Sequence, residues 1–193
     1  MSITSAKSGG TGISLALDNN YMEPIATTVV GSGGVNQITF NDIPQGYKHL
    51  QIRGIMRVSS GTAGTDDLRM QFNSDTSTNY AYHALYGTGS SAGANALTTA
   101  SITIAGRANI PRNGISANIF GVTITDILDY ANTNKYKTVR NLSGLDDNST
   151  NGVVSLSSGL WQSTTAISSI KLFDESGYDF SQYSRFSLYG IKG

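Results

Sequence analysis

Residues 47–58 read YKHLQIRGIMRV, and their alternation decides the class of fold. Leu50, Ile52, Met56 and Val58 fall on one side of an extended chain, and His49, Gln51, Arg53 and Arg57 fall on the other. Successive side chains of a strand point to opposite faces, so a period of two with one apolar side describes a strand half-buried on a core. The same pattern returns in residues 68–72 (LRMQF), where Leu68, Met70 and Phe72 alternate with Arg69 and Gln71.

Working outward, residues 35–40 (VNQITF) predict a strand that reaches the first through the turn Asn41-Asp42-Ile43-Pro44-Gln45-Gly46. Further strands are expected at 101–105, 116–128, 135–143, 153–161, 167–173 and 185–191. The pair Asn113-Gly114 adopts positive φ readily and predicts a hairpin turn with a strand on each side. Residues 79–86 (NYAYHALY) suit a helical turn or an extended segment equally well, and residues 87–99 (GTGSSAGANALTT) read as a long loop. About eight to ten short strands separated by turn signals, with no helical period, predict an all-β chain, a jelly-roll-like antiparallel β-sandwich.

Composition agrees with that class. Of 193 residues 38 % are hydrophobic and only 13 % charged, and there are 22 glycines, against a typical charged share of about 25 %. Thirteen basic and thirteen acidic residues cancel, so no broad field draws in nucleic acid or an anionic membrane. No run approaches the roughly 20 apolar residues that cross a bilayer, and residues 1–12 lack the basic and apolar parts of a secretory signal. Without cysteine there is neither a disulfide nor a thiolate metal site.

Residues 1–33 differ in character from residues 34–193, which divides the chain into an N-terminal arm and the sandwich domain. The apolar pieces of the arm, residues 13–17 and 25–30, are too short for a core of their own. They become ordered only on apolar surface supplied by the sandwich or by a neighbouring subunit. A docking arm would use Ile13, Leu15, Leu17, Tyr21, Ile25, Val29 and Val30.

Catalytic constellations are poorly supported. His49 lies on the polar side of its strand, His83 stands apart from it, and neither has metal-ligand spacing. Gly89-Ser90-Ser91-Ala92-Gly93 fits the nucleophile-elbow pattern, but both of its flanks are small and polar, whereas an elbow joins a buried strand to a helix. The acidic pairs Asp66-Asp67, Asp146-Asp147 and Asp174-Glu175 fall in expected turns. Loop oxygens there suit Ca²⁺ in kind, although the D-x-D-x-D-G spacing is missing. Glycosylation sequons occur at Asn141 and Asn148. The expectation is a protein without enzymatic activity, cofactor or resident metal. Tyr80, Tyr82, His83 and Tyr86 cluster along the chain and offer either core packing or an exposed surface for recognition.

Five segments occur in order: ITFNDIPQGYKHLQIRG (38–54), LRMQFNSDTSTNYAYH (68–83), DYANTNKYKTVRNLSG (129–144), SGLWQSTTAISSIKL (158–172) and YSRFSLYGIKG (183–193). Together they resemble a family of phage virion proteins common in marine and cyanobacterial phages. The resemblance implies a virion component assembled in the cytoplasm of a bacterial host, without enzymatic activity. It implies either a capsid decoration or cement protein that binds the major capsid protein and forms a homotrimer, or a tail or fibre component that recognises a host glycan. Membrane and nucleic-acid partners are not expected.

Overall fold

The computed structural model describes residues 5–6, 13–14, 21–62, 64–101, 109–147 and 152–193, of which 5, 6, 13, 14 and 98–101 are described by their backbone alone. Among the described residues there are fourteen strands and no helix. They are β1 (Ser5–Ala6), β2 (Ile13–Ser14), β3 (Met22–Val29), β4 (Gln37–Phe40), β5 (His49–Met56), β6 (Thr65–Phe72) and β7 (Tyr80–Gly87). After these come β8 (Ala92–Ser101), β9 (Asn109–Pro111), β10 (Gly121–Leu128), β11 (Lys137–Asp146), β12 (Gly152–Trp161), β13 (Ile170–Asp174) and β14 (Arg185–Ile191).

Eight strands form a large antiparallel sheet in the order β3-β14-β5-β10-β11-β12-β7-β8, and four form a small one in the order β4-β13-β6-β9. The two sheets make a jelly-roll-like antiparallel sandwich, while β1 and β2 pair only with each other. The alternation that identified residues 47–58 as a strand holds in three dimensions, since Leu50, Ile52, Met56 and Val58 are fully buried. They meet Leu68, Met70 and Phe72 of β6, Ile170 and Leu172 of β13, and the aromatic rings of Trp161, Phe180 and Phe186. Phe180 and Phe186 stand edge to face with centroids 5.1 Å apart, a geometry that aligns the positive ring edge with the negative ring face.

Four expectations need correction. The sandwich begins before residue 34: Met22–Val29 pairs with β14 along its length, and Val30 is buried. Without β3 the backbone polar groups on that side of β14 would have no ladder partner, which is the physical reason the segment joins the sheet. Residues 92–101, read as loop, form β8. The chain reverses at Thr88–Ser91, where Gly89 takes φ +85° and the Thr88 amide donates to the Ser91 carbonyl at 2.9 Å. The hairpin register then overrides the weak strand propensity of Gly, Ala and Asn.

Asn113-Gly114 is not a hairpin either, because β9 pairs with β6 in the small sheet and β10 lies in the large one. The loop between them crosses the sandwich, and it is held by Arg57. That guanidinium donates to the carbonyls of Asn113, Ile115, Ser116 and Ile119 at 2.8–3.1 Å. Arg57 therefore lies buried instead of facing solvent, and Arg69 and Gln71 are buried too, against Glu175 and the Asp75 carbonyl. The strand expected at 101–105 falls outside the described residues apart from Ser101.

Candidate interaction surface

The central strands β10, β11 and β12 alternate as strands should, but with an unusual distribution of polarity. Their inward positions include Thr123, Thr125, Asn141, Ser143, Ser155 and Ser157, all buried. Asn141 Nδ2 donates to the hydroxyls of Thr123 and Thr125, the latter at 2.7 Å. Asn109 Nδ2, on β9, donates to Ser143 and Ser155, whose hydroxyls are 2.8 Å apart. Buried polar groups are tolerated when partnered in this way. Small side chains here let β9 lie directly on the large sheet: a Cβ on Gly121 would collide with the Asn109 carbonyl oxygen.

The opposite face of the same strands is aliphatic and uncovered among the described residues. Strand register arranges it in rows across the sheet. One row runs Val29, Arg185, Ile55, Val122, Gly144, Val154, Gly87, Ala92. The next runs Thr27, Ser187, Arg53, Ile124, Leu142, Leu156, Leu85, Ala94. Within these rows Leu85 is 61 % exposed, Val154 55 %, Val122 53 % and Leu142 51 %, with Leu156, Ile55 and Ile124 at 41–47 %. Seven neighbouring aliphatic side chains exposed on one face of a sheet are a candidate interaction surface.

A third row, Pro24, Tyr189, Gln51, Asp126, Arg140, Ser158, His83, Ala96, closes the patch on one side with polar and charged groups. Asp126 is held between Gln51 Nε2 at 2.8 Å and the Arg140 guanidinium at 2.6 Å. Over β7, β8 and β12 the face dips into a groove of about 560 Å³ lined by His83, Leu85, Ala94, Ala96, Arg140 and Leu156. The depression follows from side-chain size, since β8 presents only alanines outward there.

The residues singled out from the sequence do not converge on one site. Of the arm set, Tyr21 is 72 % exposed, Val29 faces outward in the first row, Ile25 packs on the core and Val30 is buried. Ile13 is described only by its backbone, and Leu15 and Leu17 lie outside the described residues. The aromatic cluster is divided between the two sides of β7. Tyr80 and Tyr82 point inward and are buried, Tyr86 is half-buried, and only His83 stands exposed on the outer face.

Tyr80 stacks on Trp161 at 6.3 Å and donates its hydroxyl to the Asp75 carbonyl; burial raises its phenol above the ordinary value. Burial would likewise raise Asp75, but hydrogen bonds from Ser77, Asn79 and the Trp161 indole outweigh it and hold the carboxyl at about 2. Such a set locks Tyr80 into the aromatic end of the core, while Tyr82, also buried, lies under the Arg69 guanidinium.

The remaining polar groups make contacts within the fold. His49 Nδ1 accepts from the Asp129 amide at 3.0 Å. Asn141 is buried, so its sequon side chain is inaccessible, and Asn148 lies outside the described residues. Gly89 to Gly93 is a hairpin turn instead of a strand-to-helix elbow. Asp66 pairs with Arg112 at 3.3 Å, and Asp174 accepts from the amides of Ser176 and Tyr178. Burial, reinforced by nearby Asp66, nevertheless pushes Asp174 up to about 6. Among the described residues no group of three or more His, Cys, Asp or Glu is placed to hold a metal ion.

The outer face was missed at the level of sequence because alternation is visible there but its direction is not. Val122, Ile124, Leu142, Val154 and Leu156 are the residues that a simple hydrophobic rule turns inward. No protein-family model, no curated protein and no solved structure matches the chain.

Proposed function

We propose that the chain is a non-enzymatic structural protein of a phage particle, a capsid decoration or cement protein that packs against other virion proteins, the major capsid protein first among them. One observation carries the structural role: the aliphatic outer face of the large sheet, five strands wide and bordered by charge. Each large side chain fully buried there contributes roughly 1.5–3 kcal/mol before ordering costs, and a repeated lattice multiplies such contacts by avidity. The resemblance of the five segments supplies the particle.

Glycan recognition by a tail or fibre component is the weaker reading, because two of the three tyrosines that would form its platform are buried. Immunogold labelling of intact particles with antibody against the full chain tests the proposal. Label over the shell is the expected result; label confined to tails, or absent from particles, overturns it. Leu142→Asp is expected to abolish shell binding while leaving the sandwich folded.

A further inference from the structure

Asn113-Gly114 sits in the loop that crosses the sandwich between β9 and β10, and its turn leaves two reactive groups free. The Ile115 amide closes the turn on the Arg112 carbonyl at 3.0 Å, and the Asn113 amide donates to the Ser60 carbonyl at 3.1 Å. The Asn113 carbonyl accepts from the Arg57 guanidinium at 3.0 Å. Both residues of the pair are exposed. Among the described residues neither the Asn113 carboxamide nor the Gly114 amide has a hydrogen-bond partner. Asn113 is also the one described asparagine that a glycine follows.

Asn73, which also lies beside a turn and precedes the small Ser74, shows the opposite arrangement. Its Nδ2 donates to the Ala166 carbonyl at 2.8 Å, and its Oδ1 accepts from the Ser168 and Ser169 amides at 2.9 and 3.1 Å. A carboxamide tied at both ends cannot swing onto its own backbone; the Asn113 carboxamide can.

We infer that Asn113 is a site of spontaneous modification in the folded chain, losing its side-chain nitrogen through a cyclic imide closed on the Gly114 amide, whatever occupies the outer face. A solvent base takes the Gly114 N–H proton and the nitrogen attacks Cγ of Asn113. The N–Cγ bond forms, the Cγ–Nδ2 bond breaks, and ammonia leaves with a proton returned by solvent. Glycine favours the closure because it has no Cβ to screen its nitrogen and lets the backbone turn. Arg57 assists, since a cationic donor on the Asn113 carbonyl oxygen stabilises the charge that the deprotonated amide spreads onto that oxygen.

Water then opens the imide at either carbonyl. One opening leaves aspartate in an ordinary chain. The other leaves isoaspartate, in which the chain runs through Cγ and the former main-chain carbonyl becomes a free carboxylate. That carbonyl is the one bonded to Arg57, whose guanidinium is held only by uncharged carbonyls among the described residues. The modification thus brings an anion to a buried cation.

The full chain is incubated in mildly alkaline buffer, folded and in parallel unfolded in urea, and sampled over time by peptide mapping with mass spectrometry. In the folded chain the peptide holding Asn113 is expected to gain the mass difference between NH2 and OH, as a mixture of aspartyl and isoaspartyl forms, while Asn73 reacts only in urea. Gly114→Ala, which screens the amide nitrogen, slows the reaction of folded chain at least about tenfold, and melting curves confirm that this variant is folded. An Asn113 that reacts only in urea overturns the inference, as does product without isoaspartate, the mark of direct hydrolysis. A folded chain in which Asn73 reacts as fast as Asn113, or a Gly114→Ala chain that reacts as fast as wild type, overturns it equally.

Discussion

The two faces of β10, β11 and β12 are made by neighbouring residues of the same strands and obey opposite rules. Inward stand Thr123, Thr125, Asn141, Ser143, Ser155 and Ser157; outward stand Val122, Ile124, Leu142, Val154 and Leu156. At these middle positions burial does not follow hydrophobicity, although Ile127, Val139, Leu145 and Trp161 of the same strands are buried apolar residues. It follows geometry, because β9 passes so close beneath β10 that only small side chains fit, and the hydroxyls and amides satisfy one another in the space that remains. The aliphatic residues are thereby displaced to the outside, where their burial requires another molecule.

The contrast is broken most severely at the glycines. Gly121→Ala, facing inward against the Asn109 backbone, is expected to cost about 3 kcal/mol. Gly144→Ala, facing outward with room for the methyl group, is expected to change stability by less than about 0.5 kcal/mol. Urea unfolding midpoints of the two variants measure the difference directly, and equal losses would refute the assignment of faces.

Adjacent residues of β11 sharpen the comparison at lower cost. Asn141→Leu buries an apolar group but strips the Thr123 and Thr125 hydroxyls of their donor, and is expected to destabilise by about 2 kcal/mol. Leu142→Asn, one position along and half exposed, is expected to stay within about 0.5 kcal/mol of wild type in the monomer. A hydrophobic substitution that harms and a polar one that does not would be the signature of an inverted strand.

Titration probes the polar interior from the small sheet. Asp174 has its folded value raised to about 6 from an ordinary 3.8, so the contribution of its protonated form is fully present below about pH 4 and is lost as pH rises through 6. Stability is expected to increase by on the order of 1 kcal/mol on acidification from pH 6 to 4, and Asp174→Asn should remove that slope. Asp75, held at about 2, acts in the opposite sense: its contribution is present above the ordinary carboxylate value and is lost as pH falls toward 2. Thermal melts across this range in wild type, Asp174→Asn and Asp75→Asn separate the two groups.

Much of the fold was legible. Period-two alternation placed β5 and β6 and gave the buried side of β5 residue by residue, since those strands put their large apolar residues into the aliphatic and aromatic core. What was illegible shares a physical cause. β3 and β8 have weak or broken patterns and are strands because a neighbouring edge demands backbone partners, and β9 is three residues long and held by contacts across the sandwich. The candidate site suffered most. Tyr80 and Tyr82 read as readily as surface residues as core ones, and the outer patch consists of residues that resemble core in any local window.

By itself, then, the sequence determined an all-β chain with antiparallel sheets and a balance of thirteen basic against thirteen acidic residues, because these depend on periodicity and composition, which are local. Only the tertiary structure decided which face of the central strands is buried. That choice depends on what lies ten ångströms or so away, here β9 and its Asn109, and no window of β10, β11 or β12 contains it.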